Sequence, residues 1–126
     1  MPDETLDHAA LAELLETVGD DREFLVELIE TYLDDCPDLV EGMRSGLASA
    51  DVAGVRRAAH TLKSTSATFG ATRLASMSRE IEAAATAGEL AGLTPSVEAA
   101  AAEYEVVAAA LRAVAAENSP GGAAHD

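Results

Sequence analysis

The sequence predicts an all-α protein: an up-and-down antiparallel four-helix bundle with one or two accessory helices at its N-terminal end. Three observations predict it. Apolar residues recur at three- and four-residue steps along nearly all of the 126 residues. Aromatics make up only 3% and Trp is absent, so Ala and Leu must build most of the core, which suits helices better than sheets. Short links between long amphipathic segments imply antiparallel neighbours. No run of alternating Val, Ile or Thr reads as a strand.

The elements follow in order. Leu6, Leu11, Leu14, Leu15 and Val18 share one face of a first helix, with Asp7 as its N-cap and Gly19 as its stop. A second opens on Asp20 or Asp21 and carries Phe24, Leu25, Leu28, Ile29 and Leu33 on its apolar side. Pro37 suits the first turn of a third, with Leu39, Val40, Met43 and Leu47 on one side. Asp51 caps a fourth that runs to about Phe69, where Gly70 ends it. Leu74, Met77, Ile81 and Ala84 mark a fifth, from about Ala71 to Ala87. Gly88, Gly92 and Pro95 punctuate a loop, and a final helix from about Ser96 to Glu117 buries Val106, Val107, Leu111 and Val114 among alanines. Residues 1–6 read as a lead, 7–117 as the domain and 118–126 as a disordered tail.

Composition narrows the function classes. Twenty-three acidic residues against eight basic ones, a net charge of −15, argue against nucleic-acid binding, which depends on neutralising phosphates with Lys and Arg. The acidic start lacks the basic flank of a secretory signal, and no segment reaches the roughly 20 apolar residues that span a bilayer. A cytoplasmic monomer is expected, kept apart from its copies by its charge. The lone thiol, Cys36, cannot form an intrachain disulfide and reads as an inert residue at a helix terminus.

Against that acidic background, residues 56–70, "RRAAHTLKSTSATFG", collect three of the eight basic residues and one of the three histidines. At about 100° per residue, Val55, Ala58, Leu62, Thr65 and Phe69 form the core side of this helix. His60 falls nearly opposite, ringed by Arg56, Arg57, Lys63, Ser64, Ala67 and Ala53. Neighbouring cations favour a neutral, nucleophilic imidazole. A phosphoryl group on its ring would meet Lys63 one turn away and Arg56 or Arg57 on the other side. Ser64 and Ala67 add almost no bulk, so a partner protein can come within bonding distance. No second His or Cys lies at i+3 or i+4, so a metal site is not expected, and a surface helix offers no oxyanion hole for a nucleophilic triad.

"HTLKSTSATFG" resembles the signature of histidine-containing phosphotransfer (HPt) domains, roughly H-x-L-K-G-x-S followed four residues later by Gly. His60, Leu62, Lys63, Ser66 and Gly70 match it, and Ser64 stands where many members carry Gly. The similarity extends over roughly residues 7–115. It implies a phosphorelay intermediate without kinase activity of its own. His60 would take a phosphoryl group from the aspartyl phosphate of one receiver domain and pass it to another. Lys63 would steady the phosphoryl group, Ser64 would admit the receiver, and Leu62 and Gly70 would be structural; Ser66 acquires no chemical role. Implied partners are response-regulator receiver domains, including those of hybrid sensor kinases. No cofactor is implied for this chain, and Mg²⁺ is expected in the receiver. Thr61, directly after the histidine, differs from the acidic residue typical of the phosphoacceptor helix in sensor kinases. Two other readings remain at this stage: a module that docks receivers without turnover, and a plain acidic helical adaptor.

Overall fold

The computed structural model describes residues 5–119, which form five helices: α1 (His8–Thr17), α2 (Arg22–Ala48), α3 (Val52–Thr68), α4 (Thr72–Thr86) and α5 (Thr94–Asn118). Among the described residues there is no strand. Helix α2 packs against α3 and α5, and α4 packs against the same two, so these four close a ring around one core. The links 49–51 and 69–71 are too short for anything but reversal of the chain, which sets α2, α3 and α4 antiparallel. The small α1 lies across α2 and α3 as the single accessory helix.

The caps follow the sequence closely. Asp7, Asp21 and Asp51 each accept a backbone N–H from the first turn of the helix they precede, at 3.0, 3.1 and 3.0 Å. The end of α3 is a Schellman turn: Ala71 N donates to Ser66 O at 2.8 Å and Gly70 N to Ala67 O at 3.1 Å, with Gly70 at φ +77°. Gly70 has a second reason to lack a side chain. Asp7 N donates to Gly70 O at 2.7 Å, and a Cβ on Gly70 would sit 2.6 Å from Asp7 O. The glycine that ends α3 thus also seats the start of α1.

The expected helix boundary at Pro37 is corrected: α2 runs unbroken through it for 27 residues, about 40 Å. Proline cannot donate to the carbonyl four residues back, so Leu33 O loses its helical partner. The Tyr104 hydroxyl of α5 donates to Leu33 O at 3.0 Å instead. Sequence reading cannot see that repair, because it comes from the opposite helix. Two smaller corrections have the same origin in tertiary packing. Phe24 and Val106, expected in the core, are 43% and 50% exposed. Tyr32 and Cys36 take the inward positions on α2, and Tyr104, Val107, Ala108 and Leu111 take those on α5. Helix α5 begins at Thr94, with Pro95 accommodated in its first turn, and ends at Asn118, whose side chain accepts from Arg22. The expected disorder of the tail falls, from residue 120 on, outside the described residues.

The core is mainly aliphatic, with Tyr32, Phe69 and Tyr104 as its buried aromatics. Ile29, Met43, Leu62, Leu74, Ile81 and Leu111 are fully buried, alongside Val55, Val97 and Val107. Fully buried alanines at 59, 85, 100 and 108 let the helices approach closely. Cys36 lies inside this core rather than at a helix end, and burial pushes its thiol up to about 12. A bidentate pair from Arg44 to Glu98, at 2.6 and 2.8 Å, ties α2 to α5 on the outside. No helix among the described residues is long and apolar enough to cross a membrane.

Candidate functional site

Helix α3 is buried over more of its circumference than the wheel predicts, because it packs between α2 and α4. Val55, Ala58, Leu62 and Phe69 are buried as expected, Thr65 is half-buried, and Ala59 and Ser66 are buried as well. Ser66 thereby gains the role that sequence could not assign. Its Oγ shares a 2.8 Å hydrogen bond with the Tyr32 hydroxyl, which also reaches Cys36 and stacks at 4.8 Å on Phe69. Burial drives the Tyr32 phenol well above the ordinary tyrosine range, so it remains a neutral hydrogen-bonding group. Ser66 is a strut between α2 and α3.

The outer face of α3 carries the remaining predicted residues together. Arg56, Arg57, His60, Ser64 and Ala67 are all exposed there, and Lys63 is half-buried beside them. Arg56 and Arg57 make no ion pair with any described residue, so their charges face solvent. The His60 side chain is 59% exposed.

The structure adds one residue that sequence reasoning missed. Glu82 of α4 brings Oε2 to 2.8 Å from His60 Nδ1 and Oε1 to 2.6 Å from Lys63 Nζ. Its position follows from the Gly70 turn. His60 lies ten residues before that glycine and Glu82 twelve after, so the two stand about 15 and 18 Å from the turn on adjacent antiparallel helices. No local motif on α4 announces this, since the pairing needs the register of the hairpin.

Glu82 amends the expectation of a purely cationic surround. The hydrogen bond from Lys63 is the chief reason its carboxyl lies below the ordinary carboxylate range; partial desolvation opposes this and the contact with His60 adds to it. As a carboxylate it can only accept, so Nδ1 of His60 carries the hydrogen in this contact. Nε2 is then left with its lone pair on an exposed ring. Lys63 spends one of its three N–H donors on Glu82, and the others remain for an incoming anion. The arrangement is an oriented, accessible imidazole flanked by cations, suited to accepting a group that carries negative charge.

Two solved structures share this architecture. Histidine-containing phosphotransfer protein B (HptB) from Pseudomonas aeruginosa PAO1 matches with a TM-score of 0.80 and 27% identity, over 88% of this chain and 94% of that one. The HPT domain of an Hpt sensor hybrid histidine kinase from Shewanella matches with a TM-score of 0.72 and 23% identity, over 90% and 96% respectively. No curated protein sequence matches the chain. The Hpt domain family matches residues 27–117, from the first turns of α2 nearly to the end of α5. That span takes in nearly all of the four-helix ring and the outer face of α3, and by it the chain belongs to the Hpt domain family, the phosphocarriers that perform histidine phosphotransfer in phosphorelays.

Proposed function

We propose that His60 is the residue phosphorylated in this relay, through Nε2, and that the phosphoryl group comes from and returns to aspartates of receiver domains. The observation that carries the reading is the orientation of the ring: Nδ1 is engaged by Glu82 at 2.8 Å while the side chain remains 59% exposed. Lys63 supports the phosphoryl group with the donors that Glu82 leaves free. Arg56 and Arg57 offset its charge from the other side and meet the acidic surround of an aspartyl phosphate. Ser64 and Ala67, both exposed and small, form the approach path for the receiver.

The chain acts as a carrier with no ATP-binding activity of its own, in the cytoplasm and as a monomer. It needs no resident cofactor, and the Mg²⁺ of aspartyl-phosphate chemistry stays with the receiver. The test is direct. Incubation with a phosphorylated receiver domain and Mg²⁺ is expected to place acid-labile, base-stable label on the chain. Label that persisted in His60→Gln would sink the assignment of the site. A chain that bound receivers yet took no label from any of them would be a docking module instead.

A further inference from the structure

Positive charge is spread unevenly over the outside of the bundle. Arg44 and Arg73 pair with Glu98 and Glu103, and Arg22 donates to Asn118, so all three are tied to α5. Arg57 lines a cleft between α2 and α3 together with Asp38 and Asp51, which makes the α2 side of the site mixed in sign. The α4 side differs. Arg79 is exposed there and makes no ion pair with any described residue. It stands one turn from Glu82, which is fixed to His60 and Lys63 at 2.8 and 2.6 Å. We infer that Arg79 is a receiver-docking residue contributed by α4: its charge draws the aspartyl phosphate of an incoming receiver onto the approach path beside His60 and so sets how fast the two proteins meet. The inference rests on His60 being the phosphorylated residue and a receiver being its donor.

The placement follows from the hairpin and the helical period. Leu74 and Ile81 are fully buried and mark the inward side of α4. At about 100° per residue, Glu82 lies about 90° round from them and Arg79 about 150° in the same sense. Arg79 therefore stands on the outer rim beyond Glu82, on the side that faces α3. Along the axis it lies about 4.5 Å from Glu82 toward the Gly70 turn, and the same step on α3 leads from His60 toward Ser64 and Ala67. Helical side chains lean toward the N-terminus, which for α4 is the Gly70 end, so Arg79 leans over the level of that approach path. Its charge sits on the order of 10 Å from the ring, about one Debye length at 0.1 M salt. The chain as a whole carries a net charge of −15 and repels an anionic partner. Attraction at the site thus depends on a few local cations. Lys63 is already half-offset by Glu82, whereas no carboxylate among the described residues touches Arg79 or Arg56, on the same α3–α4 seam. Charge placed at such a rim acts mainly on the rate of encounter.

The test uses the full chain as wild type, Arg79→Glu, Arg79→Lys and Arg112→Glu. Arg112 is an exposed arginine on α5 that likewise makes no ion pair with any described residue, so its reversal changes the net charge equally on another face. Transfer from a phosphorylated receiver with Mg²⁺ is followed over a range of chain concentrations, at low and at high salt. At low salt Arg79→Glu is expected to lower the second-order rate constant about tenfold while the rate at saturation stays unchanged, and the gap is expected to close to about twofold near 0.5 M salt. Arg79→Lys, which keeps the charge, is expected to stay within about twofold of wild type, and so is Arg112→Glu. If Arg79→Glu behaves like Arg112→Glu at every salt concentration while His60 is labelled normally, the inference is overturned and the site assignment stands. A loss confined to the rate at saturation and indifferent to salt would overturn it as well, because docking charge would not produce that pattern. If the wild-type chain takes no phosphate on His60, the site assignment fails and this inference fails with it.

Discussion

The two faces of α3 use similar polar side chains to opposite ends. Inward, Ser66 is fully buried and its hydroxyl is paired with Tyr32, and no buried side-chain polar atom among the described residues lacks a partner. Outward, His60, Lys63, Arg56 and Arg57 keep donors or lone pairs free even where Glu82 engages some of them. The difference is one of dielectric. An unmet hydrogen bond in the core costs its full desolvation penalty, whereas at the surface water fills it until a partner arrives. One helix can thus hold the bundle together with one side and present reactive groups with the other, because the helical period keeps the two sets apart.

That separation is sharpest if matched substitutions are made on the two faces. Ser64→Leu adds bulk to the exposed side and is expected to abolish transfer from a phosphorylated receiver while leaving the melting temperature unchanged. Unimpaired transfer would contradict the proposed approach path. Leu62→Ala, two residues away and fully buried, should do the reverse. It is expected to lower unfolding stability by about 3 kcal/mol, read by urea denaturation, while the folded fraction still accepts phosphate at the wild-type rate. A large transfer defect in folded Leu62→Ala would show that the faces are not independent.

Much of this division was legible in sequence. The apolar spacing from Val55 to Phe69 places the core side of α3, and the same wheel puts His60 opposite with its cations. The aspartate caps and Gly70 mark the helix ends because their chemistry is local. What sequence reading missed depends on contacts between distant elements. Glu82 reaches His60 only through the register of the α3–α4 hairpin. Ser66 looks like one more small polar residue until α2 supplies Tyr32. Pro37 reads as a helix start because its repair, the Tyr104 hydroxyl, lies 71 residues from Leu33. Phe24 and Val106 fit the helical period yet face outward, since periodicity fixes a stripe but not which part of it the neighbours cover.

Two inward hydrogen bonds give smaller and separable effects. Ser66→Ala leaves the buried Tyr32 hydroxyl with only the weaker Cys36 contact and is expected to cost about 1.5 kcal/mol. Adding Tyr32→Phe should recover part of that loss, because an absent hydroxyl needs no partner; a further full-sized loss would mean that shape, not pairing, sets the cost. Tyr104→Phe should cost about 1 kcal/mol by orphaning Leu33 O. The penalty should largely vanish in a Pro37→Ala background, where an alanine N–H can restore the helical bond. Equal losses in both backgrounds would refute the account of how α2 passes through its proline.

The outward face has its own, weakest, stability signature. The Glu82 carboxyl lies below the ordinary carboxylate range in the folded chain, chiefly through Lys63, so the folded state favours its ionised form. A depressed carboxyl contributes stability that is present above its unfolded value, about 4.3, and is lost as pH falls through the lower folded value. The contact is partly solvated, which limits the contribution to about 1 kcal/mol or less. Comparing wild type with Glu82→Gln by denaturation isolates it from the other acids. The stability gap between them should be constant from pH 7 down to about 5 and should close as the pH falls below about 4. A gap that persists unchanged at low pH would mean that Glu82 contributes by packing alone. The charge linking α4 to the outer face of α3 would then serve the chemistry of His60 without holding the helices together.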